Sequence, residues 1–289
     1  MTGFAEREWV SRDGLRLFAR DYAGGSGGCR LPVICLHGFT RNSKDFEEVA
    51  PRLVAGGRRV LVPDVRGRGR SDSDPNPRNY QPKVYARDML QLMDALGIAR
   101  AVFLGTSMGG LITMALAAFR SRAVVAAVLN DVGPEIGREG IERILSYAGQ
   151  PATIRTWDDA ADYVRRTNAV AFPDYSDADW GDFARRTFRD EGGGPALDYD
   201  PAIAAPHANG PAKTRSLVAD LLFRKLARRR PTMLVRGELS DLTTDAIARR
   251  MKRIAPSLQL AVIPGVGHAP ALTEPEAIKA IDEFLRAVP

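Results

Sequence analysis

The sequence predicts an α/β chain: a mostly parallel central sheet with helices on both faces, an antiparallel hairpin at its start, and a helical cap inserted late. Three observations carry this. Short apolar runs alternate with stretches of helical spacing through most of the chain, the rhythm of right-handed strand-helix-strand crossovers. The charge-free stretch from Ala101 to Phe119 is interrupted by Gly105-Thr106-Ser107-Met108-Gly109-Gly110, so it divides into a buried strand, a turn and a helix rather than a bilayer span. Between residues 134 and 229 the strands stop, and only amphipathic helical segments follow one another.

Taken in order, Glu8 to Tyr22 holds two short strands turned at Asp13-Gly14, a hairpin signal. Pro32-Val33-Ile34-Cys35-Leu36 is a strand buried on both faces, and Phe46 to Ala55 a helix stopped by Gly56-Gly57. Arg59 to Val62, Ala101 to Leu104 and Val124 to Leu129 are further strands. Val84 to Leu96 and Leu111 to Phe119 are the helices between them. Helical stretches are expected around Ile141–Ala148, Trp157–Asn168, Asp177–Phe188 and Arg215–Leu226, with no strand among them. The alternation resumes with Thr232–Val235, Asp245–Ile254, Leu258–Ile263 and Pro275–Ala287. The expected organisation is a core of residues 1–133 and 230–289 with a cap of residues 134–229.

A chain of 289 residues with 45% hydrophobic content is long enough to bury a full core. Its net charge of +6 is spread by interleaved Arg and Asp/Glu, and no basic-aromatic module of a nucleic-acid binder occurs. The run Arg224 to Arg230 reads as a solvated helix end. Cys29 and Cys35 are too few for a disulfide framework, and the first residues carry acids with no apolar run, so a cytoplasmic, reducing setting is expected. No metal-ligand spacing, phosphate loop or dinucleotide fingerprint is present, so no cofactor is expected. A monomer and a homodimer both fit the sequence.

The chemistry is concentrated in three places. Gly105-Thr106-Ser107-Met108-Gly109 fits the G-x-S-x-G nucleophile elbow, after a buried strand and before a helix, with small residues two positions either side of the serine. A serine hydroxyl needs a base, and only His37, His207 and His268 exist. His268, in Gly265-Val266-Gly267-His268-Ala269-Pro270 beyond the last strand, is the expected base. His37 is expected to brace its loop while bordering the substrate pocket, and His207 to be a packing or surface residue. Asp241, after the strand Thr232–Val235, is the expected acid, in the chain order Ser, Asp, His. Asp131 at the end of the preceding strand and Glu238 are the competitors. Backbone N–H groups of Phe39 and Met108 are expected to form an oxyanion hole.

His37-Gly38-Phe39, the loop Asp64-Val65-Arg66-Gly67-Arg68-Gly69-Arg70-Ser71, Gly105 to Gly110, Asp241 and Gly267-His268 together resemble the α/β-hydrolase fold family, in particular its small bacterial serine hydrolases with a helical cap. The resemblance covers nearly the whole chain and implies esterase, lactonase or carbon–carbon hydrolase chemistry. It also implies that Asp64 and Arg66 brace loops. Epoxide hydrolases and haloalkane dehalogenases of this fold carry Asp at the elbow, and Ser107 departs from both. The family's carbon–carbon hydrolases carry a Gly-rich loop after the His-Gly pair, where this chain has Phe39-Thr40-Arg41-Asn42.

A cap over Ser107 implies a closed, largely apolar cavity for a small or medium acyl compound. Its aromatics include Trp157, Tyr163, Phe172, Tyr175, Trp180, Phe183, Phe188 and Tyr199. About a third of these are expected to face the pocket, with Trp157, Phe172 and Trp180 as candidates, the rest joining cap helices together. Cap arginines, Arg138, Arg143, Arg165 and Arg166, read as exposed. The function expected is hydrolysis of a carboxylic ester or lactone through an acyl-enzyme. Cleavage of a vinylogous keto acid and a non-catalytic ligand receptor are the alternatives.

Overall fold

The computed structural model describes residues 3–24, 30–207 and 214–289; Cys29 and the side chain of His207 lie outside the described residues. The hairpin at the start is formed by β1 (Ala5–Val10) and β2 (Arg16–Tyr22), antiparallel, with Trp9 opposite Leu17. Gly14 in its turn has φ +91°, a conformation that costs a residue without a Cβ little. β3 (Val33–Leu36), β4 (Val60–Pro63), β5 (Ala101–Thr106), β6 (Val124–Asn130), β9 (Thr232–Gly237) and β10 (Gln259–Ile263) run parallel to one another. Together with the hairpin they make a sheet ordered β1-β2-β4-β3-β5-β6-β9-β10.

The continuous apolar runs have a direct cause: alternate side chains of each strand enter two different cores. Ile34, Leu36, Ala101 and Phe103 join one cluster, while Val33, Cys35, Val102 and Leu104 join the other. The first cluster packs against α2 (Pro82–Ala95), α3 (Met108–Phe119) and α8 (Asp245–Ile254), through Tyr85, Ile112 and Met251. The second packs against α1 (Val49–Ala55) and α9 (Pro275–Arg286), through Val49 and Phe284. The charge-free stretch divides into β5 and α3 as expected, and among the described residues no helix is long and apolar enough to cross a membrane.

Beyond β6 the chain forms α4 (Arg138–Tyr147), α5 (Trp157–Asn168) and α6 (Asp177–Thr187). Thr156 with Asp159 and Ser176 with Asp179 form reciprocal capping boxes at the starts of α5 and α6. These helices enclose an apolar cluster of their own, including Val164, Phe172, Trp180, Phe183 and Phe188. Two expectations need correction here. A short antiparallel pair, β7 (Phe188–Asp190) and β8 (Pro195–Leu197), follows α6 where only helix was expected. The helix expected at 215–226 forms as α7 (Leu217–Ala227), but Phe223, Leu226 and Ala227 bury it in the sheet's first cluster beside α3, so it packs with the core and not with the cap.

Candidate active site

The strand-to-helix turn at Ser107 can form because glycine stands at positions 105 and 109, where a side chain would collide with backbone. A Cβ on Gly105 would lie 2.4 Å from the Gly109 carbonyl carbon, and one on Gly109 would lie 2.1 Å from the Leu36 carbonyl oxygen. The backbone can therefore turn tightly between β5 and α3, and Ser107 itself sits at φ 50°, ψ −113°. Such a conformation costs a non-glycine residue about 1–3 kcal/mol and persists only where packing holds it. Here the Ser107 N–H is held by the Asn130 carbonyl at 2.9 Å, and the Ser107 carbonyl receives the Gly110 N–H. The side chain is thrown clear of the sheet edge toward the loop after β10.

That loop brings His268 to it. The Nε2 of His268 stands 3.0 Å from Ser107 Oγ, and its Nδ1 stands 2.7 Å from Asp131 Oδ2. Asp131 is fully buried one residue past the end of β6, with φ 54°. Its N–H donates to the Val235 carbonyl, while its carboxylate accepts from the Gly237 N–H at 3.3 Å and the Ser240 hydroxyl at 2.5 Å. The acid is thus fixed by β9 and by the loop that follows β9. With Nδ1–H donated to Asp131, Nε2 is left to accept the serine proton.

The expectation that Asp241 faces His268 is corrected by this geometry. Asp241 Oδ2 and Oδ1 accept from Arg143 Nε at 2.7 Å and Nη2 at 2.9 Å, a two-point pair with α4 of the cap. The chain entering the cap lies directly on the Asp241 loop: Gly137 N–H donates to the Leu242 carbonyl at 2.7 Å, and a Cβ on Gly137 would lie 2.0 Å from the Asp241 carbonyl oxygen. Burial works against ionisation of Asp241, but the Arg143 hydrogen bonds and charge outweigh it and hold the carboxyl below the usual range. From the same loop it is Ser240, and not Asp241, that reaches the His268–Asp131 pair. Glu238, the other competitor, accepts instead from the Gly265 N–H at 3.0 Å.

His37 is buried, with Nδ1 2.8 Å from the Gly38 carbonyl and Nε2 3.0 Å from the Val65 N–H. Only the tautomer protonated at Nδ1 satisfies both. It braces the Gly38-Phe39 loop and does not line the cavity, which corrects its place among the pocket residues. Burial, with a smaller opposing contribution from the Gly38 carbonyl, brings its pKa down to about 4. The unfolded chain takes up this proton near pH 6.5 and the folded chain only near pH 4, so the stability His37 contributes is full above 6.5 and is lost as pH falls. Replacing it as His37→Gln, which leaves one of two buried partners unmatched, is expected to cost about 1–3 kcal/mol at pH 7. The parent alone loses about 3 kcal/mol to this protonation between pH 7 and pH 4, so the deficit should vanish or reverse by pH 4, read by urea titration across pH. A pH-independent deficit would contradict a neutral, buried His37.

A cavity of about 140 Å³ opens at Ser107 and His268 beneath the cap. Phe172 lines it, as expected. Trp157 and Trp180 do not: Trp157 lies under the guanidinium of Arg185, whose Cζ is 3.7 Å from the ring centroid, and Trp180 is buried in the cap's own cluster. Tyr163, Tyr175, Phe183 and Tyr199 join Phe172, so five of those eight reach the cavity, more than the third expected, and Tyr147 of α4 lines it as well. The wall is also more polar than expected, because Arg41, Lys44 and Arg186 share it with Asp45 and Glu48. Arg41 donates to Asp45 at 3.0 Å and to Thr187 of the cap, and its Cζ lies 4.2 Å from the Phe183 ring centroid. Sequence reasoning missed Arg41, since an arginine in a loop carries no signal of what closes over it. Phe39 lines the cavity beside Ser107, and a Cβ on Gly38 would approach Ser107 Cβ to 3.9 Å, so this loop borders the nucleophile. Met108 opens α3, where its N–H has no acceptor four residues back within the helix.

Comparison with known proteins agrees with this architecture. The alpha/beta hydrolase fold family matches residues 32–275. The chain is 32% identical over 280 residues to 3-hydroxybutyrate-oligomer hydrolase of Cupriavidus necator, spanning 95% of this chain and 94% of that one. It is 28% identical over 256 residues to 2-(acetamidomethylene)succinate hydrolase of Mesorhizobium japonicum, spanning 88% of each. A solved alpha/beta hydrolase from Novosphingobium aromaticivorans superposes over the whole of both chains with a TM-score of 0.91 and 44% identity. The fold, the elbow and these relatives lead to one conclusion: the chain belongs to the alpha/beta hydrolase fold family and is a hydrolase.

Proposed function

We propose that this protein hydrolyses a small or medium carboxylic ester or lactone through an acyl-enzyme on Ser107. The observation that carries the reading is the unbroken relay from Ser107 Oγ through His268 to Asp131, opening into the cavity. In the first step His268 Nε2 takes the Ser107 proton as Oγ adds to the substrate carbonyl carbon. The tetrahedral oxyanion is received by the N–H groups of Met108 and Phe39, with the start of α3 adding its partial positive charge. Collapse expels the alcohol, which takes the proton from His268; water, deprotonated by the same imidazole, then releases the acid and restores Ser107. Asp131 holds the imidazole orientation and stabilises its charged form throughout.

The kinship with a 3-hydroxybutyrate-oligomer hydrolase favours short esters of hydroxy acids within this class. The cavity supports the same choice, since aromatic walls with a few fixed polar groups suit a compact acyl chain and exclude a polymer. A second reading, an acetamidomethylene-substituted dicarboxylic acid as substrate, is favoured by the relative from Mesorhizobium japonicum. The test is a turnover screen over dimeric and trimeric 3-hydroxybutyrate, simple lactones, short p-nitrophenyl esters, dienoates and acetamidomethylene acids, with Ser107→Ala as the blank. Preference for the esters or lactones is the expected result. Preference for either of the last two substrates would replace it.

A further inference from the structure

Arg68 is buried to 1% exposure and, among the described residues, pairs with no carboxylate. Its neighbour Arg66 is equally buried but meets Asp13, Asp74 and Asp88, so the contrast lies in the partners and not in depth. The guanidinium of Arg68 is spent on neutral acceptors. Nε donates to the Phe39 carbonyl at 3.1 Å, Nη1 to the Arg66 carbonyl at 2.9 Å and the Tyr85 hydroxyl at 3.0 Å, and Nη2 to Met108 Sδ at 3.6 Å. The rings of Phe39, Tyr80 and Tyr85 surround it with centroids 5.5, 5.5 and 5.1 Å from Cζ. A buried cation without a counter-ion is costly, and aromatic faces and carbonyl dipoles offset only part of that cost.

Outside its own loop and α2, Arg68 donates hydrogen bonds to Phe39 and Met108, the pair whose backbone N–H groups are proposed above to receive the oxyanion. We infer that Arg68 is a positioning residue for the oxyanion hole: it fixes Phe39 through its carbonyl, seats Met108 through its sulfur, and places an uncompensated positive charge behind both donors. Its own loop is tied down from the cap side, where Gly69 N–H donates to the Asp198 carbonyl, Asp200 N–H to the Gly67 carbonyl, and Arg68 bridges to Tyr199. Cap seating and oxyanion stabilisation are thereby linked through one guanidinium. An anion developing on the substrate carbonyl is the counter-charge this site otherwise lacks, and that charge exists in the tetrahedral state and not in the bound ester.

The inference rests on the acyl-enzyme reading above. Its test compares Arg68→Met and Arg68→Lys with the parent on p-nitrophenyl butanoate, with kcat counted per Ser107 titrated by a fluorophosphonate. Affinity for a boronic acid that adds to the serine is measured alongside. Arg68→Met should lose about 10- to 100-fold in kcat with little change in KM, less than the loss of a direct donor. Boronate affinity should fall in parallel. Arg68→Lys, which keeps the charge but not the four contacts, should lose less. Unchanged kcat per titrated site, or equal losses in the two variants, would overturn the inference, as would fewer titratable sites of normal kcat. Should Arg68→Met not fold, Arg68→Lys decides alone, by a fall in kcat at constant KM against none. Full activity of Arg68→Met beside a dead Ser107→Ala would sink the inference and leave the serine reading intact; an active Ser107→Ala would sink both.

Discussion

Ser107→Ala is expected to lower kcat on a short ester by about 10⁵- to 10⁶-fold, the scale seen when a serine that acts as a unit with its base is removed. The loss is this large because the hydroxyl is both the attacking atom and the site of the covalent intermediate, and among the described residues no other hydroxyl is hydrogen-bonded to His268 Nε2. Substrate binding should survive, since the cavity wall is left intact and the backbone turn depends on Gly105 and Gly109. The check is a single-turnover assay together with a binding measurement on an uncleaved analogue. Residual turnover within tenfold of the parent would remove Ser107 from the chemistry.

Asp131→Asn is expected to lower kcat by about 10³- to 10⁴-fold, while Asp241→Asn stays within about threefold of the parent. Asparagine at 131 would face His268 Nδ1 with an amide that can donate, favouring the tautomer with Nε2 protonated and unable to accept from Ser107. Asp241→Asn should instead cost stability, because it leaves the half-buried Arg143 without its charged partner and loosens α4 from the core loop. A melting curve and a kcat measured on each variant separate the two effects. Loss of kcat in Asp241→Asn with Asp131→Asn near normal would reverse the assignment of the acid.

Much of this fold was legible because a parallel sheet covered on both sides leaves strong marks: the runs at Val33–Leu36, Ala101–Leu104 and Val124–Leu129 admit no polar residue. Ser107 and His268 were legible for a similar reason, one in a turn that demands flanking glycines, the other in a small-residue loop past a strand. The acid was not, because linear order says only that Asp131 and Asp241 follow adjacent strands, β6 and β9. Which carboxylate reaches the imidazole was decided by Arg143, a residue in a different domain segment that reads as a surface cation. The β7–β8 pair was missed because three-residue strands carry no periodicity, and the docking of α7 because its apolar face fits a cap or a core equally well. Arg68 was hidden among three loop arginines, Arg66, Arg68 and Arg70, of which only the three-dimensional partners distinguish one from another.

The most direct test of the whole account is to mix enzyme with excess p-nitrophenyl butanoate, quench in acid within milliseconds, and locate the bound acyl group by mass spectrometry. A butanoyl group is expected on the peptide carrying Ser107, formed at the rate of the p-nitrophenol burst. Steady turnover with Ser107 unmodified, or the acyl group on another residue, would contradict it.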